Sequence, residues 1–186
     1  MKTLFKLVLW ITVICLFVYG TMTAYQKIEL YLYPTDYSDY VEKYSEQYGL
    51  DKSLVFAVIK CESNFEPNAV SSANAKGLMQ LQDDTYKWVC SKYNDTDIDE
   101  NYLFDAKKNI EAGCRLLRLH LNEFSDINTV LCAYHAGRNI TLGWLKNPEY
   151  SSDAKTLDKV PYEDTKLYID RVEKTITKYQ KIYNFN

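Results

Sequence analysis

Histidine is scarce in this chain: His120 and His135 are the only two among 186 residues. That is too few for most His-based metal sites. No Cys-x-x-Cys, His-Glu-x-x-His or Gly-rich phosphate loop is present. Neither a cofactor nor a metal is therefore expected. Basic runs are lacking as well. Lys and Arg number 22 against 25 Asp and Glu, a net charge of −3. The first 24 residues hold two lysines and no acid, so the remainder is more acidic still. Nucleic acid is not an expected partner, and a polyanionic ligand would need specific contacts rather than overall charge. The acids of residues 94–105 lack the Asp-x-Asp-x-Asp-Gly spacing of a calcium loop. No strand-period segment or internal repeat stands out, which predicts an all-α fold.

The chain divides into three parts. Residues 1–24 place Lys2 and Lys6 before an apolar run from Leu7 to Gly20, a pattern that directs export. Thr21-Met22-Thr23 is a poor cleavage box, so an uncleaved membrane anchor is expected rather than a cleaved signal peptide. Thr12-Val13-Ile14 does not make Cys15 a lipid-modified residue. Residues 25–35 read as a short connector reaching at most about 40 Å. Residues 36–186 are long enough for one domain with a sizeable core.

Within that domain the periodicity predicts a series of helices. Tyr37, Tyr40, Val41, Tyr44 and Tyr48 lie on one side of the first, which Gly49 ends. Asp51 or Ser53 caps a second, whose run Leu54–Ile59 is apolar enough to be buried. Residues 64–76 are loop, followed by Gly77-Leu78-Met79-Gln80. Asp83 or Asp84 is expected to cap a helix to about Tyr93. Asp105 caps the next, with Ile110, Cys114, Leu117 and Leu121 on its apolar stripe. Asp126 or Asn128 opens another, which Gly137 ends, and a short helix covers Ile140–Lys146. Pro161 is expected as the first residue of the last helix, which runs to about Tyr183.

Glu62 ends the apolar helix and faces the loop. Read alone it is a solvated helix-end residue; its surroundings decide otherwise. Glu62-Ser63 with Asn-Phe-Glu-Pro-Asn-Ala-Val-Ser resembles the first motif of the SLT-type lytic transglycosylases. Gly77-Leu78-Met79-Gln80 matches their second. Ala133-Tyr134-His135-Ala136-Gly137 resembles their third, usually AYNAG, and Pro161 to Tyr168 their last. Asn109-Ile110-Glu111-Ala112-Gly113 has its counterpart between the second and third. The resemblance implies a lysozyme-like domain behind an N-terminal membrane segment. It also implies cleavage of the MurNAc–GlcNAc β-1,4 bond of peptidoglycan without water, leaving a 1,6-anhydro end. The expected location is extracytoplasmic and membrane-anchored. The expected partners are glycan strands, the membrane and, by a guess from the short connector, an envelope-spanning complex.

Glycoside cleavage needs a proton for the leaving oxygen, which makes Glu62 the candidate acid, with a pKa raised by its apolar helix and by the negative helix end. No second carboxylate is marked by position, which fits one residue acting as acid and then as base. The resemblance carries substrate contact onto Ser71, Met79, Gln80, Tyr134, His135 and Tyr168. Met79 reads as packing at the cleft floor. Ser71 reads equally as a loop-structuring serine, and Gln80 also as a backbone ligand. His135 departs from the family asparagine and is expected to alter pH dependence. Two other readings stand beside this one: a hydrolytic muramidase of goose-lysozyme type, and a non-catalytic cell-wall binding or assembly protein. Cys61, Cys90, Cys114 and Cys132 permit two disulfides in three pairings, or four buried thiols. Cys132 with His135 lacks the rest of a cysteine-peptidase pattern.

Overall fold

A computed structural model describes residues 2–185. Met1 and Asn186, the outer residues of the segments read as anchor and as domain, lie outside them. The chain forms two compact units, parting after Pro34.

The first unit is one helix, α1, Lys2–Leu32. At about 1.5 Å per residue it is roughly 46 Å long, against about 30 Å of bilayer hydrocarbon. Thr3–Leu32 is long and apolar enough to cross a membrane by length and composition. The connector expected over 25–35 is helical through Leu32. Nothing between Gly20 and Tyr33 breaks a helix, and Pro34 is the first residue that must.

The second unit is all-α. It contains α2 (Ser38–Tyr48), α3 (Lys52–Ser63), α4 (Asp83–Lys92), α5 (Ala106–Glu123), α6 (Ile127–His135), α7 (Arg138–Leu145) and α8 (Glu163–Tyr183), with a 3-10 turn at Glu100–Phe104. Among the described residues, β-structure is limited to isolated bridges, Val70 to Lys76 and Lys76 to Leu81. At the centre lies α3, with Val55, Ala57, Val58 and Ile59 wholly buried. A helix apolar on every side has no face to give to water. Its largest neighbour is α8, which presents Tyr168, Ile169, Val172, Thr175 and Tyr179 to the interior and also meets α6. The cysteine-bearing helices α3 and α6 therefore share α8 as a neighbour. The amphipathic α5 packs between α2, α4 and α6.

Three aspartates start helices by accepting a backbone N–H: Asp51 from Ser53, Asp105 from Lys108 and Asp126 from Thr129. The cap expected at Asp83 or Asp84 is not formed. Gln82 occupies that position without a side-chain bond, and Asp83 instead pairs with Lys76 at 2.6 Å. Both acids sit in the first turn, where the helix dipole favours them. Pro161 also falls outside its helix: Tyr162 takes the cap position and Glu163 and Asp164 the first turn. All five cysteines, Cys15 included, are unpaired thiols.

Candidate active site

Glu62 lies one residue before the end of α3, half-buried. It opens onto a cavity of about 350 Å³ whose lining includes Ser71, Gln80, Tyr134 and His135. Glu62 is the one carboxylate among the described residues of that lining.

The loop after α3 is fixed at both ends. Ser63 Oγ donates to the Leu78 carbonyl at 2.8 Å, tying the end of α3 to the Gly77–Gln80 turn. From the other side Asn109, fully buried on α5, uses its whole amide. Its oxygen accepts from Met79 N at 2.8 Å, and its nitrogen donates to the Lys76 and Leu103 carbonyls. Gly77 has φ +75°, and a Cβ there would lie 2.0 Å from the Leu103 oxygen and 2.3 Å from Asn109 Nδ2. Gly113 leaves room for Met79, whose sulfur would be 2.2 Å from an added Cβ.

Met79 is therefore wholly buried, its side chain shut off from the cavity. Substrate contact through that side chain is not available to it. Ser71 Oγ accepts from Ala75 N at 3.0 Å and closes its own loop while lining the cavity. Gln80, in the left-handed region at φ 48°, donates from Nε2 to the carbonyls of Ala69 and Gly77. Its amide nitrogen holds the turn, and its amide oxygen is left to face other partners.

Across the cavity, Tyr134 and His135 of α6 form part of the lining, and α8 backs His135. Tyr134 donates its hydroxyl to the Met79 carbonyl at 2.7 Å and so braces the turn. His135 places Nδ1 3.1 Å from Thr165 Oγ1, and its ring stacks on Tyr168 with centroids 4.4 Å apart. Tyr168 is buried, and its hydroxyl makes no bond of ordinary geometry. It nonetheless lies close enough to Glu62 for each to act on the other's ionisation.

Burial is the largest influence on Glu62 and pushes its pKa up to about 7, against opposition from the Tyr168 hydroxyl and the Arg171 guanidinium. Burial also raises Tyr134 and Tyr168 well above the ordinary phenol value, so both stay neutral hydroxyls. His135 is lowered by burial, with Asp164 opposing and Arg171 assisting. Near neutral pH the site thus holds a carboxyl poised between its two protonation states, beside neutral phenol hydroxyls and within reach of the Arg171 charge.

A second cavity, of about 500 Å³, adjoins the first and shares Thr85, Leu116, Tyr134, Ala136 and Gly137 with it. Asp84 and Ala133 also line it, and Trp88, His120, Arg138, Asn139 and Ile140 complete it. None of these last five was singled out in the sequence, because none lies in a recognisable motif. The supporting role of Ser63 was likewise missed. A serine just after a candidate acid, next to a turn that needs an anchor, was the available signal.

The geometry agrees with known proteins. The transglycosylase SLT domain family matches residues 39–157. A membrane-bound lytic murein transglycosylase C from Actinobacillus succinogenes is 41% identical over 119 residues, 57% of this chain and 32% of that protein. A transglycosylase of Enterobacteria phage PRD1 is 39% identical over 95 residues, 51% of this chain and 32% of that protein. The chain thus spans about a third of the length of these relatives. Among solved structures, an inactive mutant of lytic transglycosylase Slt from Pseudomonas aeruginosa superposes with a TM-score of 0.71 at 25% identity, over 82% of this chain and 25% of that one. The helical unit has the lysozyme-like SLT fold, and the chain belongs to the transglycosylase SLT domain family.

Proposed function

We propose that this chain is a peptidoglycan lytic transglycosylase, with residues 36–186 as its catalytic domain and Glu62 as its sole acid–base. One observation carries the reading: the single carboxylate of the cleft is desolvated to a pKa of about 7, where it can both give and take a proton. The protonated Glu62 donates to the glycosidic oxygen as the bond from muramyl C1 breaks. The resulting carboxylate faces the electron-poor C1. It then accepts the proton of the muramyl C6 hydroxyl, whose oxygen closes on C1 to give the 1,6-anhydro ring. Glu62 ends as it began, and no water is consumed. Tyr168 positions the carboxyl, Ser71, Gln80 and His135 face the sugar, and Tyr134 acts through the turn.

The helix α1, with Lys6 near its start, supports a membrane anchor holding the catalytic domain on the extracytoplasmic side, consistent with relatives described as membrane-bound. The short stretch between α1 and α2 favours work near the membrane, where an envelope-spanning assembly is the partner this reading assigns.

Digestion of purified peptidoglycan by the full chain in detergent, read by mass spectrometry, tests this. The expected products carry anhydro-muramyl ends and disappear in Glu62→Gln. Products heavier by one water identify a hydrolase instead. Anhydro ends persisting in Glu62→Gln would refute the role of Glu62. No products from the wild type leave the binding scaffold as the better reading.

A further inference from the structure

On α8, Arg171 follows Tyr168 by about one helical turn, so the two side chains share a face. The guanidinium lies over the Tyr168 ring, 5.7 Å from its centroid. His135 stacks on the same ring. A second link fixes the backbone of Arg171. Cys61 Sγ donates to Thr175 Oγ1 at 3.6 Å, and Thr175 Oγ1 donates to the Arg171 carbonyl at 2.8 Å. Arg171 is thus registered against α3 at the residue directly before Glu62, and against the tyrosine beside it.

The guanidinium itself has no acid to meet. Arg115 pairs with Asp95 and Glu111, Arg138 pairs with Glu123, and Arg118 donates to the Tyr48 carbonyl. Arg171 is exposed and has no ion pair among the described residues. It is not part of the lining of the Glu62 cavity, so it stands outside the space a substrate fills. Its charge nonetheless reaches Glu62 and favours the ionised form, against burial. The other titratable groups around the carboxyl are Tyr134 and His135 from α6, Tyr168 from α8 and Cys61 from α3. Burial holds each of them uncharged at neutral pH. Lys60 on α3 turns to the Asn64 side chain, and Ser71 and Gln80 on the loop carry no charge.

A direct ion pair would hold Glu62 as a carboxylate, since a touching cation lowers a carboxyl pKa by about 1–3. No proton would then be left to donate. With no cation at all, the carboxylate formed by the first proton transfer would stand unsupported in a desolvated site. A cation at one remove serves both states. We infer that Arg171 is a positioning residue of the reaction: held over Tyr168 and outside the cavity, its guanidinium is the counter-charge to the Glu62 carboxylate that exists between the two proton transfers. The inference rests on the proposed acid–base role of Glu62. Because Arg171 is exposed, dissolved salt weakens its action.

The test compares the full chain, in detergent, with Arg171→Gln and Arg171→Lys, at a position outside the core. Thermal unfolding from about pH 5 to 9 is measured for each, relative to the same chain carrying Glu62→Gln. The difference reads the pH at which Glu62 ionises in the folded protein and needs no turnover. Arg171→Gln is expected to raise that pH by at least about 0.5. Arg171→Lys keeps the charge and loses the flat stack, and should restore most of the shift. Raising salt from about 0.02 to about 0.5 M should move the wild type towards Arg171→Gln and leave Arg171→Gln where it is. On peptidoglycan fragments the alkaline limb of kcat/KM should move in step. There kcat should fall about five- to tenfold in Arg171→Gln, with KM within about twofold. An ionisation pH that is the same in wild type and Arg171→Gln overturns the inference. Equal shifts in Arg171→Gln and Arg171→Lys, with no response to salt, would reduce Arg171 to packing on Tyr168 and overturn it too. Anhydro products from the wild type without any shift would sink this inference alone. A wild type that shows the shifts but cleaves nothing would sink the enzymatic reading and, with it, the reaction that Arg171 serves.

Discussion

Glu62 in one cavity and His120 in its neighbour are both driven towards neutrality by desolvation, from opposite sides. Glu62 is raised to about 7 and His120 is lowered to about 4. The difference is what surrounds them. Glu62 sits at a helix end beside open cavity, with the hydroxyl of Tyr168 and the charge of Arg171 within reach, so its two protonation states are finely balanced near neutral pH. His120 is sealed between two aromatic rings, far from its own titration range. The first is suited to moving a proton and the second to receiving a hydrogen bond. Burial alone does not make a catalytic group; burial that leaves the pKa near the working pH does.

The largest expected contrast is in turnover. Glu62→Gln should lower kcat by at least about a thousandfold, because a positioned general acid is worth 10²–10⁴ and this one serves twice. In the wild type, kcat/KM should fall as pH rises through about 7, as Glu62 loses its proton. The corresponding change at His120, to Phe, should leave that alkaline limb where it is. An alkaline limb that moves with His120→Phe, measured on peptidoglycan fragments, would break the distinction between the cavities.

How much of each cavity could be read in the sequence follows the same division. Glu62, Gln80, His135 and Tyr168 sit in motifs whose order and spacing were visible, and the apolar run of α3 signalled burial. What the motifs could not convey was direction. Tyr134 aims at a backbone carbonyl, Ser71 at its own loop, and Met79 away from the cavity, because a motif records which residue is present and not where its atoms point. Trp88, His120 and Arg138 come from α4, α5 and the start of α7. Their meeting is purely tertiary, so no local pattern announces it. The cap missing at Asp83 and the helix start missed at Pro161 are both local matters. Asp83 is drawn to Lys76, and two acids already serve the first turn of α8.

The second contrast is in support. The Glu62 cavity depends on a turn held by Asn109, whereas the neighbouring cavity is walled by helices. Asn109→Ala removes three hydrogen bonds and leaves the Met79 N–H buried without a partner, so a loss of roughly 2–4 kcal/mol is expected. Gly77→Ala should be at least as damaging, since its Cβ meets backbone and the φ is left-handed. Denaturant midpoints check both. A surviving midpoint in Asn109→Ala would show that the turn is held by Ser63 and Tyr134 instead.

Stability against pH distinguishes the two titratable groups next. A folded Glu pKa raised from 4.5 to about 7 gives stability that is fully present below pH 4.5 and lost as pH rises through 7. Glu62→Gln should therefore stabilise the fold at pH 8, on the order of 2–3 kcal/mol, with the gain vanishing near pH 4. His120 has the reverse sign. Its pKa is depressed, so its contribution is present above about 6.5 and lost as pH falls through 4. His120→Phe should flatten the acid side of the stability curve and Glu62→Gln the alkaline side. Thermal unfolding from pH 4 to 8 reads both, and parallel curves for the two variants would erase the opposition drawn between them.

The smallest expected effect belongs to His135, which stands where the family usually has asparagine. Its ring spans the two sides of the comparison: it lines the Glu62 cavity and stacks on an aromatic ring as His120 does, but unlike His120 it is exposed to water. Burial and Arg171 depress its pKa while Asp164 supports it, so it is uncharged at neutral pH. His135→Asn should then leave the alkaline limb of the kcat/KM profile at about 7, where Glu62 sets it. The change should appear below pH 6.5, as a less than tenfold difference in the acid limb, where the wild-type imidazole begins to charge against Thr165. Superimposable profiles would mean that the ring serves only to stack on Tyr168. A displaced alkaline limb would mean that His135 reaches Glu62 through Tyr168, whose hydroxyl has no other partner of ordinary geometry.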